Sequence, residues 1–158
     1  MNTKVKDIDE SKRVKELVMS KAKQCYVNAA RVVMGVAEYA DAEYVEGLAV
    51  IEKVFVIEHG WIEKDGVIID PTLPDKPLDY FPGLRFKGLR GVAEALKVPK
   101  PERTSEDFPI FFRFGWGGID SPEFRSALVE AYRYAGVEDL AKWYENYKPK
   151  DSSEALSA

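Results

Sequence analysis

Cysteine and histidine are the scarcest reactive residues in this chain: Cys25 and His59 are the only ones of their kind in 158 residues. A single cysteine excludes an internal disulfide, and one cysteine with one histidine cannot build a Cys/His zinc site. The sequence therefore implies neither metal nor cofactor. No apolar run approaches the roughly 18 residues of a membrane-spanning helix. The opening "MNTKVKDIDESKRVKELV" is charged where a signal peptide would be apolar. Neither sign of charge dominates: 23 Lys and Arg stand against 27 Asp and Glu, for a net charge of -4. The basic footprint of a nucleic-acid binder is missing. These absences predict a soluble, cytoplasmic protein that binds neither nucleic acid nor membrane.

What is present is apolar material, at 46% hydrophobic and 12% aromatic residues. That suffices for one well-formed core. The expectation is a single α+β domain over residues 1–148, followed by a disordered tail over 149–158, "PKDSSEALSA". Val14, Leu17 and Val18 have helical spacing and predict an amphipathic helix from 9 to about 22. Cys25, Ala29, Val32, Val33 and Val36 fall on one face of a second helix, with Cys25 at its first turn.

The period then changes. "EYVEGLAVIEKVFVIEHGWIEKDGVIID" reads as three antiparallel strands near 44–51, 54–63 and 67–70. Asp65-Gly66 is a strong hairpin signal, because a two-residue type I′ turn needs positive φ at both central residues. Residues 71–120 are rich in Pro, Gly and aromatics and predict mostly irregular surface structure, with one short helix near 88–98. Within them "FFRFGWGG" lacks phosphate-loop spacing and reads as a packed turn. Ser121-Pro122-Glu123 opens a helix that stops at Gly136, and "VEDLAKWYENY" forms another.

If the hairpin closes through Asp65 and Gly66 alone, Lys64 pairs with Val67 and Trp61 lies opposite Asp70. His59 and Asp70 then become diagonal neighbours on one face, with Cβ atoms on the order of 5 to 8 Å apart. A three-residue loop would invert the parity and separate them. A carboxylate on an imidazole fixes its tautomer and stabilises the imidazolium, which is the orienting half of a nucleophilic triad. Cys25 is the candidate nucleophile, since a thiol at a helix N-terminus beside His⁺ is favoured as thiolate. Oxyanion donors would come from the Cys25 backbone N–H, with Gln24 or Asn28 adding a side-chain amide.

Each residue also has a plain reading. A cysteine on an apolar helix face is commonly a small core residue, a strand histidine is commonly structural, and an Asp before Pro commonly serves a turn. Trp61 shields the site or is simply core. Glu46 lines the cleft or faces solvent, and Gly47 allows a close backbone approach. The basic residues of "FPGLRFKGLRG" read as a solvated face. Taken singly the plain readings win, whereas the order, the spacing and the shared sheet face together favour a triad.

A cysteine opening a helix, a strand carrying "YVEG", then "HGW" and "DGVIIDPT" on later strands resembles the transglutaminase-like branch of the papain-like cysteine enzymes. The resemblance spans about residues 24–72, and "DPTLPDKPLDYFPGLRF" is similar to the segment after the Asp in small bacterial and phage-type members. It implies a papain-like core, a helix on a short antiparallel sheet, here with extra C-terminal helices. It also implies Cys25 as nucleophile, His59 as general base and acid, and Asp70 as the residue orienting His59. Lys23-Gln24 stand where the family often has a Gly-Asp pair. The implied activity is acyl transfer through a thioester, as an amide or isopeptide hydrolase, deamidase or transglutaminase acting on a protein or peptide. The competing expectation is an inactive relative that uses its aromatic-rich 80–118 region as an interaction surface.

Overall fold

A computed structural model describes residues 4–102 and 104–149. The expected tail thus lies, apart from Pro149, outside the described residues. The elements run β1 (Val5–Lys6), α1 (Ile8–Leu17), α2 (Cys25–Gly35), β2 (Glu43–Ile51), β3 (Phe55–Lys64) and β4 (Val67–Ile69). They continue as β5 (Leu78–Lys87), α3 (Gly88–Ala95), α4 (Pro122–Tyr134) and α5 (Glu138–Glu145). Short 3₁₀ turns lie at Ala37–Tyr39, Ile110–Arg113 and Trp116–Gly118. The fold is α+β, built on a five-stranded mixed sheet of order β1-β4-β3-β2-β5.

The β3–β4 hairpin has the register that its turn dictates. Asp65 and Gly66 both take positive φ, at 50° and 76°, and Lys64 pairs with Val67, Glu63 with Ile68 and Ile62 with Ile69. Extending that parity one rung puts Asp70 on the face of Trp61 and His59.

Three expectations required correction. The sheet, expected to be antiparallel, is mixed, because β1 pairs parallel with β4 through Val5–Val67 and Lys6–Ile68. The first helix stops at Leu17 rather than about 22, because Met19 turns into the left-handed region at φ 49° and its N–H bonds back to the Glu16 carbonyl. Val14 is buried from this helix, while Leu17 is exposed. Residues 78–87, expected to be irregular, form β5, which pairs antiparallel with all of β2. Pro82 is accommodated because β5 is an edge strand with one side free of a ladder, where a missing N–H costs nothing. The ladder shifts register at Glu46/Gly47. There Gly47 is obligatory: a Cβ would lie 2.3 Å from the Phe81 carbonyl oxygen and 2.9 Å from the Trp61 ring.

The face of the sheet bearing Tyr44, Ile62, Leu48 and Val50 is covered by helices. Ala29, Val32 and Val33 of α2 and Val92 of α3 pack toward Tyr44 and Ile62. Phe124, Ala127, Leu128 and Ala131 of α4 pack on Leu48, Val50 and Phe81. α4 begins as its sequence indicates, with Ser121 Oγ accepting from Phe124 N at 3.2 Å and Pro122 in the first turn. The opposite face gathers Val45, Ala49, Trp61, Ile68 and Tyr80. Among the described residues no helix is long and apolar enough to cross a membrane.

Candidate active site

β4 pairs only with Ile62–Lys64 of the ten-residue β3, so Phe55–Trp61 have no ladder to β4. The N-terminus of α2 packs on this part of β3. Gly60 makes the approach possible: a Cβ there would stand 2.8 Å from the Tyr26 ring and 3.2 Å from Tyr26 Cα. The first turn of α2 is therefore laid against β3 beside His59.

His59 is 2% exposed, and its Nε2 lies 2.8 Å from Asp70 Oδ2. That bond leaves Nδ1 for the thiol, and the Cys25 side chain is within hydrogen-bonding reach of the imidazole. Cys25 itself is partly exposed, and both Cys25 and His59 line one cleft. Burial by itself would lower the basicity of His59, but the Asp70 charge and hydrogen bond, joined by Cys25, raise its pKa to about 9. Asp70 is also buried, yet the His59 charge and the hydrogen bonds it receives bring its pKa down to about 2.

Asp70 is held on every side. Its Oδ1 accepts from Thr72 N at 3.0 Å and Leu73 N at 2.9 Å, an Asx-type turn that the following Pro71 begins. Its Oδ2 also accepts from Tyr80 Oη at 2.7 Å, and its own N–H donates to Ser11 Oγ at 2.9 Å. A carboxylate with this many donors stays ionised and oriented. Trp61 and Tyr80 back the imidazole, with ring centroids 6.1 and 6.3 Å from it.

The cleft measures about 1320 Å³. Beside Cys25 and His59 its walls come from β2 and β3 (Leu48, Val56, Ile57), from α4 and α5 (Leu128, Tyr132, Tyr144), and from residues 99–101, Thr104 and the stretch between Phe112 and Gly117. "FFRFGWGG" is thus a packed turn with a second role, since Phe112, Arg113, Gly115, Trp116 and Gly117 of it face the cleft. Its glycines allow this path, Gly115, Gly117 and Gly118 all having positive φ.

The other four candidates are placed elsewhere. Gln24 is the exposed residue preceding α2, and its side chain makes no capping bond. Asn28 is fully buried and committed: its amide bonds Lys21 N–H and C=O and donates to Thr72 Oγ1 at 2.9 Å, so it holds the approach to α2 rather than pointing at an oxyanion. Trp61 is buried behind His59, with its Nε1 on Glu63 at 3.0 Å, and does not line the cleft. Glu46 neither lines the cleft nor faces solvent, because its strand face is the one beneath the helices. The basic residue Arg85 is not simply solvated, being paired with Glu43 and Glu63 at 2.7 and 2.6 Å.

Tyr80, Thr72 and Ser11 around Asp70, and the aromatic cleft wall, were not legible in the sequence. Tyr80 could have been found only by reading "LDYFPGLRF" as an edge strand. Among the described residues no group of three or more His, Cys, Asp or Glu side chains is arranged to hold a metal ion. No family model, no curated protein and no solved structure matches this chain.

Proposed function

We propose that the protein is a cysteine-dependent acyl-transfer enzyme of papain-like, transglutaminase-like type, with Cys25 as nucleophile, His59 as base and acid, and Asp70 as the orienting carboxylate. One observation carries the reading: a buried imidazole held by a carboxylate at 2.8 Å, with the chain's only thiol near enough to raise its basicity, at the head of a helix and at the wall of the same cleft. A high imidazole pKa favours the imidazolium that would face a thiolate.

In this mechanism the thiolate attacks the carbonyl carbon of an amide. The developing oxyanion is met by backbone N–H groups of the first turn of α2, whose dipole favours negative charge there. His59 then gives its proton to the leaving nitrogen as the C–N bond breaks, leaving a thioester on Cys25 and a neutral imidazole. Water or an amine adds to the thioester, His59 takes its proton, and the thiolate leaves. Asp70 holds the ring throughout and keeps its charge. The breadth and apolar lining of the cleft fit a protein or peptide carrying the acyl group.

The test is the pH dependence of iodoacetamide alkylation of Cys25, in wild type and in His59→Ala. The expected result is rapid alkylation well below the ordinary thiol pKa of about 8.5 and its loss in the variant. A wild-type thiol that titrates as a free one, or is inert until unfolding, would overturn the reading. It would favour the second one, an inactive relative that binds a partner through this surface, for which Trp116, 84% exposed at the cleft, is the supporting observation.

A further inference from the structure

The turn Ile110–Arg113 opens on two backbone N–H groups that its own geometry leaves without partners, as the first N–H groups of any helical turn are left. One side chain takes both. Glu46 Oε1 accepts from Ile110 N at 2.6 Å and Glu46 Oε2 from Phe111 N at 2.7 Å, while Tyr44 Oη donates to Oε1 at 2.6 Å. Glu46 is fully buried in mid-strand of β2, between Gly60 and Leu84. A carboxylate of the central sheet thus grips the segment that continues as Phe112, Arg113, Gly115, Trp116 and Gly117, the cleft wall. Arg113 ties the far side of the same segment, donating to the carbonyls of Val98 at 2.5 Å and Asp107 at 3.0 Å.

The grip also reaches the nucleophile's helix. Phe111 meets Tyr26, the residue after Cys25, edge to face at 5.8 Å, and stacks on Phe124 of α4 at 4.4 Å. Burying a carboxylate is costly, and an apolar residue on β2 would fill the same space. It would leave two buried N–H groups unpaired and the wall free to shift. The carboxylate fixes where the wall stands.

Resting on the acyl-transfer reading above, we propose that Glu46 is a positioning residue: its grip on Ile110 and Phe111 sets how tightly the cleft holds the bulky apolar part of the acyl donor, an aromatic-bearing group, without touching it. Three donors converge on two oxygens, so a proton on either oxygen removes the charge that strengthens all three bonds and adds a donor where only donors converge. Burial, opposed by Tyr44, the two N–H groups and the Arg113 charge, leaves Glu46 with a pKa of about 7. The grip accordingly loosens as pH falls through neutrality. The groups facing it are Tyr44 on β2, Tyr26 on α2 and Arg113 on the turn. Both tyrosines are pushed up by burial and stay neutral, and Arg113 is a fixed cation.

The test alkylates Cys25 in the full-length protein with N-benzyl iodoacetamide over a concentration series, reading KI and kinact separately, with iodoacetamide as the small companion. In Glu46→Gln one N–H faces an amide NH₂ instead of an oxygen. KI for the benzyl reagent should rise about tenfold with kinact little changed, a tenfold loss corresponding to about one charge-assisted hydrogen bond. In wild type the preference for the benzyl reagent should fall toward acid with a midpoint near 7, where Glu46 titrates, and the Gln variant should lack that step. Tyr44→Phe keeps both N–H bonds but removes a donor that favours the carboxylate. It should retain the wild-type preference in alkali and move the midpoint upward.

A KI for Glu46→Gln within about twofold of wild type, well under one hydrogen bond's worth, would overturn the proposal. So would a flat wild-type profile, which needs no variant to fold, or an equal rise in KI for Tyr44→Phe in alkali, which would mark a general loss of packing. KI does not depend on how the thiolate is activated. A Cys25 that titrates as a free thiol therefore strikes the acyl-transfer reading, while an unchanged KI strikes only the role of Glu46.

Discussion

His59 Nε2 on β3 and Asp70 Oδ2, one residue past the end of β4, stand 2.8 Å apart, both residues buried, although eleven positions separate them in the chain. A two-residue turn produces that distance, because its parity puts both side chains on one face. Asp70→Asn keeps the Oδ1 bonds to Thr72 and Leu73 but sets an NH₂ against His59 and Tyr80 Oη. The imidazolium loses its counter-charge, and His59 should fall back from about 9 toward its ordinary 6.5. Alkylation of Cys25 near neutrality should slow at least tenfold, and the fold should lose about 1 to 3 kcal/mol, read by denaturant titration. Unchanged alkylation would separate Asp70 from the reactivity of the thiol.

Stability should follow pH through the same pair. The His59 pKa is raised in the fold, so its contribution is full below about 6.5 and is lost as pH rises through about 9. The Asp70 pKa is depressed, so its contribution is present above about 3.8 and is lost as pH falls through about 2. Urea midpoints between pH 6 and about 10 should therefore decline in wild type and decline less in Asp70→Asn. Parallel declines would assign the alkaline loss to other groups.

Gly60 should be intolerant of a methyl group for a reason tied to the site. In Gly60→Ala the new Cβ meets the Tyr26 ring and backbone, and overpacking of this kind costs about 1 to 3 kcal/mol. The first turn of α2 must lift from β3, carrying Cys25 away from His59. Alkylation below pH 8 should drop while reactivity at about pH 9, where an unassisted thiol ionises, is retained. A variant that reacts as wild type throughout would show that α2 does not need this contact.

Tyr80→Phe removes one donor from Asp70 and leaves His59, Thr72 and Leu73 in place. Stability should fall by about 1 kcal/mol, the worth of a typical buried hydrogen bond or somewhat more with a charged acceptor. Thiol reactivity should change less than in Asp70→Asn. A larger effect on reactivity than Asp70→Asn would make Tyr80, and not Asp70, the residue that sets the imidazole.

Much of the site was legible because it is written in short-range signals. The α2 face of Ala29, Val32 and Val33, the Asp-Gly turn and the alternation along β3 are local, and local periodicity specifies which side chains share a face. The first helix was overrun because Met19 turns left-handed with no Gly or Asn to announce it. β5 was missed because "YFPG" carries two strand breakers that only an edge position and a register shift accommodate. Glu46 looked like a cleft or surface residue because the two backbone N–H groups it grips lie 64 and 65 residues away, and its one nearby partner, Tyr44, does not reveal them.

By itself, then, the sequence determined the order of thiol, imidazole and carboxylate, and through one turn the register that pairs the last two. The rest was decided by tertiary structure. Whether α2 lies against Gly60, what surrounds Asp70, and which aromatic segment walls the cleft depend on contacts between residues far apart in the chain. Such contacts are selected by shape and by the need to satisfy buried polar groups across elements, neither of which leaves a period to read.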